Sequence, residues 1–332
     1  MNKKLKDGIV CALWCLGSIG VAGCSGDDAP GGEPVALSFQ LCRLTAGEVS
    51  TRADATSADM EDGKAFRIYA FPADASITAT QPLDYKDYTV TGGVATGELY
   101  LYRGTYDLYL VSYNSSTDLP VLSAGGTIAT GNGKDFMYTT LKGIVVQPNQ
   151  TGENHMSVVL PEPFKRMGAQ VQVTVAGNTS SPVTPTSLVV QSFQMKGLCE
   201  SLTYTLGSSV WNAHSGAFNG SYPFTGFTNN GTGFEVKKKR ESSSVVLLPV
   251  DGTSTLDFEI ELEVGFNDNG TAKVWRDVYP VSIQKVLLPG MTYLFDFTLT
   301  FYGILNPGDL TLAVRDYEST VTIDSDGLGK NK

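Results

Sequence analysis

The clearest pattern in the chain is alternation. From Leu256 to Phe266 apolar and polar residues take turns, which predicts a strand with Leu256, Phe258, Ile260, Leu262, Val264 and Phe266 on one buried face. Asn267-Asp-Asn-Gly270 follows. Asn and Gly tolerate positive φ, so a hairpin turn is expected there, with a return strand over residues 272–283. Pro280 inside that return marks an edge or a bulge. A second hairpin is expected from residues 97–102 through Arg103-Gly104 to residues 106–111. Shorter runs predict strands at 66–71, 156–160, 171–175, 188–195, 244–249, 293–301 and 310–314. No segment sustains a helical period; residues 137–141 and 164–167 are where a single turn of helix is expected.

Short strands joined by Gly-, Ser- and Asn-rich turns predict an all-β chain of two antiparallel β-sandwich domains in tandem. Pro161-Glu-Pro163 closes one strand, and a fresh alternating run begins at Ala169. The expected boundary therefore separates an N-terminal domain, 34–162, from a C-terminal domain, 163–332.

The N-terminus follows other rules. Lys3, Lys4 and Lys6 precede a short apolar core, residues 9–20, and then Val21-Ala-Gly-Cys24. This is the layout of a secretory signal peptide, residues 1–23, with a core too short to span a bilayer. The expected cut lies between Gly23 and Cys24. Residues 24–33, polar, acidic and rich in Gly and Pro, predict a flexible tether. Beyond it, Pro34 to Cys42 alternates, with Val35, Leu37, Phe39 and Leu41 facing one way, and reads as the first strand. Residues 43–62 are polar and predict an exposed loop open to proteolysis.

Charge and composition narrow the function. The chain carries 24 Lys+Arg and 34 Asp+Glu. Loss of residues 1–23 removes three lysines and one aspartate, which leaves a net charge of −12. So acidic a chain is a poor nucleic-acid partner, because phosphate neutralisation by basic residues supplies most of that affinity. The basic run Lys237-Lys-Lys-Arg240 is expected to be a solvated loop or strand end. Cys11 and Cys15 leave with residues 1–23 and Cys24 is modified, so Cys42 and Cys199 remain; they could form one disulfide, but their distance in sequence favours two buried, unpaired thiols. His155 and His214 are isolated, and no metal, nucleophile or phosphate-loop motif is present. The chain is expected to be no enzyme and to carry no cofactor or metal.

Four stretches in order resemble the fimbrillin-like family of Bacteroidetes, the subunits of type V pili. They are the Val21-Ala-Gly-Cys24 lipobox with its acidic tether, Ser50-Thr-Arg-Ala53 ahead of Phe66-Arg-Ile-Tyr-Ala-Phe71, the run from Pro163 to Val175, and Tyr279-Pro-Val-Ser-Ile followed by Leu288 to Phe297. The resemblance implies transthyretin-like, Greek-key sandwiches and a precursor lipidated (palmitoylated) on Cys24. It implies export to the outer face of the cell outer membrane. It also implies that a trypsin-like processing protease cuts after Arg52, or after Arg43, and releases the first strand. A donor strand from the next subunit would then fill the vacated place head-to-tail, building the fimbria. Leu310, Leu312 and Val314 are the candidate donor positions. The implied partners are other fimbrial subunits, the membrane through the lipid, the protease and a host or bacterial surface receptor. Two further readings stay open: a non-polymerising anchor that keeps its lipid, and a surface glycan-binding lipoprotein with a cluster of exposed Trp or Tyr on one face, for which Trp211 and Trp275 are the tryptophans left after residues 1–23.

Overall fold

The structure is a computed structural model that describes residues 32–40, 42–45, 57–148, 151–179, 185–208, 210–213, 217–252, 254–301, 309–315 and 320–324. Every regular element among them is a strand. The first eleven are β1 (Val35–Gln40), β2 (Arg43–Thr45), β3 (Ser57–Asp59), β4 (Ala65–Pro72), β5 (Asp84–Thr91), β6 (Val94–Leu101), β7 (Gly104–Ser115), β8 (Thr127–Gly131), β9 (Met137–Val146), β10 (His155–Val159) and β11 (Lys165–Arg166). The others are β12 (Ala169–Thr179), β13 (Pro185–Leu198), β14 (Ser201–Thr205), β15 (Gly220–Pro223), β16 (Arg240–Glu241), β17 (Val245–Leu247), β18 (Leu256–Asp268), β19 (Thr271–Ile283), β20 (Thr292–Phe301), β21 (Asp309–Arg315) and β22 (Thr320–Asp324).

An eight-stranded sheet takes the order β10-β1-β6-β5-β4-β7-β9-β11. Its strands send side chains into one core, from Val35, Leu37 and Phe39 on β1 to Met137 and Leu141 on β9, so the sheet curls around its own apolar face. The opposite face of its centre carries Tyr69, Phe71 and Tyr109, covered by the β8–β14 pair through Ile128 and Tyr204. A second core lies between two further sheets. β12 and β20 supply Val171, Val173, Phe295 and Phe297; β13 and β18 supply Leu188, Phe193, Phe258 and Ile260. Going along the chain, Phe164 belongs to the first core, Met167 to the layer over the sheet, and Ala169 to the second core.

The long alternating hairpin forms, with Leu256, Phe258, Ile260, Leu262 and Val264 buried as expected and Phe266, near the turn, only partly so: β18 pairs with β19 through Asn269 and Gly270, both at positive φ. Pro280 stands on β19, which ends its sheet, so its missing N–H leaves no gap in a two-sided ladder. Four expectations fail. β6 and β7 do not pair; β6 lies between β1 and β5, and β7 between β4 and β9. Residues 137–141 are strand, because Met137 and Leu141 fill one core while Tyr138 fills the layer over the sheet, and burial on both faces erases alternation. Residues 164–167 contribute the two-residue strand β11, paired with Tyr138 and Met137. Residues 43–62 are not all loop: β2 and β3 form an antiparallel ladder that satisfies their main chain. The sheets are also not purely antiparallel, since β1 runs parallel to β10 and β12 parallel to β20.

Cys42 and Cys199 are buried and unpaired. Burial pushes both thiols up to about 11, so almost none is thiolate at neutral pH. A thiol reagent at pH 7.5 is therefore expected to leave both unmodified in the folded protein and to modify both in denaturant. Rapid labelling of either one under native conditions, read by mass spectrometry, contradicts this placement.

Candidate functional site

β1 is held on both sides. Along one edge Leu37 stands opposite Met156 and Phe39 opposite Val158; along the other Leu37 stands opposite Leu99 and Phe39 opposite Ala95. Val35, Leu37 and Phe39 are fully buried, as the alternation requires, and each such side chain contributes about 1.5–3 kcal/mol. Leu41, the fourth expected position, lies outside the described residues.

The two ladders are not equally regular. Leu37 to Phe39 is two steps along β1, but Leu99 to Ala95 is four along β6, so β6 bulges around Gly97. Tyr88 of β5 fills the space. Its ring lies over Gly97, where an added Cβ would stand 2.7 Å from the ring carbon Cδ1. Its hydroxyl donates to the Leu37 carbonyl at 2.8 Å and accepts from the Leu99 N–H at 2.8 Å. The ring stacks on Phe66 at 5.5 Å and meets Phe39 at 5.2 Å with the planes at 85°. Burial raises this phenol far above its ordinary value, so it stays protonated and able to donate. The sequence singled out neither Tyr88 nor Gly97. The signal was present in β5, where Tyr88 and Val90 alternate with polar residues, but only two of its eight side chains are buried.

The exit from β1 is tied down as well. Cys42 donates to the Gly93 carbonyl and accepts from the Met60 N–H. Arg43 pairs with Asp59, its carbonyl accepts from the Phe164 N–H at 2.7 Å, and its Nε is buried. Arg52, Gly23 and Cys24 lie outside the described residues. At the other end of the chain, β21 pairs with β20 and β22, and Leu312 is buried in the second core. The main chains of Leu310 and Val314 stand opposite Leu299 and Phe295 in that ladder.

Other expected features separate from one another. His155 is exposed on β10, and His214 lies outside the described residues. Trp211 is half-buried, donating to the Met167 carbonyl at 2.6 Å, while Trp275 packs against the second core. Lys237 is exposed as expected, but Arg240 is wholly buried, with Nε donating to the Leu188 carbonyl. That is a correction to the solvated reading of the basic run: β16 carries its last member inward, opposite Val175.

A family model described as fimbrillin-like matches residues 51–322. None of the curated proteins compared matches the sequence. Among solved structures, a candidate cell adhesion protein of Bacteroides fragilis aligns over 90% of this chain and 98% of its own, at 16% identity and a TM-score of 0.50. One from Parabacteroides distasonis covers 90% and 99%, at 10% identity and a TM-score of 0.48. The fimbrial anchor protein Mfa2 of Porphyromonas gingivalis covers 86% and 98%, at 8% identity and a TM-score of 0.41. At these identities the first of them speaks for the shared fold alone.

Two substitutions test the geometry around β1. Tyr88→Phe leaves a buried carbonyl and a buried N–H without their partner and is expected to cost about 1–3 kcal/mol. Gly97→Ala forces the Tyr88 ring to shift and is expected to cost a similar amount, about 1–3 kcal/mol. Denaturant unfolding reads both, and midpoints unchanged from the parent would contradict the description.

Proposed function

The chain belongs to the fimbrillin-like family, and on that premise we propose that it is a structural, adhesive subunit of a type V fimbria whose first strand is replaceable. The observation that carries this reading is the position of β1. It is one short strand, inserted between two others, with three buried side chains. Its loss opens two unpaired edges, one on β10 and one on β6, together with an apolar slot. Unpaired edges are templates for another extended segment, which would supply main-chain hydrogen bonds and alternate side chains together.

A protease needs a stretch of chain it can draw out, and Arg43 is half-buried within a ladder. Arg52 is the better site: it sits between β2 and β3, in a polar stretch, and the family match begins beside it at residue 51. Cleavage there removes the acidic tether, the lipid carried on Cys24, β1 and the short strand β2 in one piece. Export as a lipoprotein to the outer membrane surface then serves delivery, and the processed chain enters the fimbria. An uncut chain would keep both lipid and strand and would act as an anchor.

The mature N-terminus on the cell surface decides between these states. For a polymerising subunit, terminal sequencing is expected to find Ala53, and Arg52→Ala is expected to leave monomers that still carry acylated Cys24. Filaments assembled from a chain with Arg52 and Arg43 both replaced would overturn processing as the trigger.

A further inference from the structure

The slot that β1 fills is not equally demanding along its length. In the two ladders Val35 stands opposite Leu101, and Leu37 opposite Leu99 and Met156. Phe39 meets a fixed aromatic wall, Tyr88 with Phe66 stacked behind it. Tyr88 has little room to relax into a void, because its ring is seated against the glycine of the β6 bulge and its hydroxyl accepts from the Leu99 N–H on β6, while the carbonyl it meets on β1 must be supplied again by any replacement strand. A space whose wall cannot collapse penalises an undersized occupant most heavily.

We propose that this wall makes the slot selective for a strand with an aromatic residue at its third inward position, and that the strand comes from a different subunit. The inference rests on the replaceable-strand reading above and adds the identity of the replacement. The occupant would present apolar, apolar and aromatic side chains at successive alternate positions, as Val35, Leu37 and Phe39 do. It would run parallel to β10, and it would offer a carbonyl to the Tyr88 hydroxyl at the second position.

A second copy cut after Arg52 has lost its own β1, and its residues 302–332 do not meet that description. Its C-terminal strands offer Leu310, Leu312 and Val314, or Val321 and Ile323, and no stretch of residues 302–332 places apolar, apolar and aromatic residues at successive alternate positions. A valine in place of Phe39 leaves the space beside Tyr88 part empty. β21 is moreover engaged within its own sheet, with Leu312 in the second core.

The test uses the full mature chain with a site for a sequence-specific protease placed at Arg52. After cleavage, the released N-terminal fragment competes with fluorescent peptides, and retained peptide is measured alongside circular dichroism. A peptide copying residues 34–41 is expected to enter the slot. The same peptide with Phe39→Val is expected to bind roughly tenfold more weakly, and with Phe39→Ala on the order of a hundredfold. A peptide copying residues 309–315 is expected to fall with the valine peptide. In a chain carrying Tyr88→Leu that still folds, the preference for Phe over Val is expected to vanish. Equal retention of the parent peptide and its Phe39→Val variant, or firm retention of the 309–315 peptide, overturns the selectivity while leaving strand replacement intact. If no peptide enters and the native fragment never leaves the folded chain, strand replacement itself fails and the selectivity falls with it.

Discussion

A β-strand in a protein interior must find partners for its main chain on both sides, and much of this architecture turns on how β1 meets that demand for its neighbours. It serves β10 in the parallel sense and β6 in the antiparallel sense. It also closes the apolar face around which the eight-stranded sheet curls. The antiparallel ladder is interrupted by the β6 bulge, and a hydroxyl from a third strand repairs it. Tyr88 thus stands in for a main-chain group, holding two strands together from the side without belonging to either. Buried hydrogen-bonding groups left alone cost more than a formed bond returns, so the strand, the bulge and the tyrosine depend on one another.

The sequence showed the class of fold and much of its framework, because strands with one wet face write themselves as alternation. β18 and β20 follow that rule over almost their whole length. Strands that break it were harder to see. β9 is covered on both faces at its start, so its first three residues are buried in succession. β5 buries only Tyr88 and Val90, and β8 and β14, which were not foreseen, bury two side chains each. Pairing was less legible still. Nearness in sequence suggested that β6 and β7 form a hairpin, whereas curling of the sheet places three strands, β5, β4 and β7, in succession beyond β6. The inward positions of β1 were readable as Val35, Leu37 and Phe39. What they pack against was not, since the Tyr88 wall is assembled from β4, β5 and the bulge in β6.

The two ends of the chain are handled differently. β1 is a short insert with its buried side chains on one face. β21 continues from β20 in an antiparallel ladder and is itself flanked by β22. The second core is also anchored by an unusual group, the Arg240 guanidinium, which donates to the Leu188 and Lys238 carbonyls where a carboxylate would be the common partner. Burial lowers the pKa of that group, a cost that the carbonyl hydrogen bonds offset in part.

The parallel pairing of β1 with β10 also bears on time. Leu37 finds Met156 opposite it, so the last partner of the first strand lies far along the chain, beyond every other strand of the sheet except β11. A chain that emerges N-terminus first exposes Val35, Leu37 and Phe39 well before β10 exists to receive them. Contacts of such long range form late, after the loop entropy between them has been overcome. The first strand to be made is therefore among the last to be seated, and until then its place in the sheet stands open.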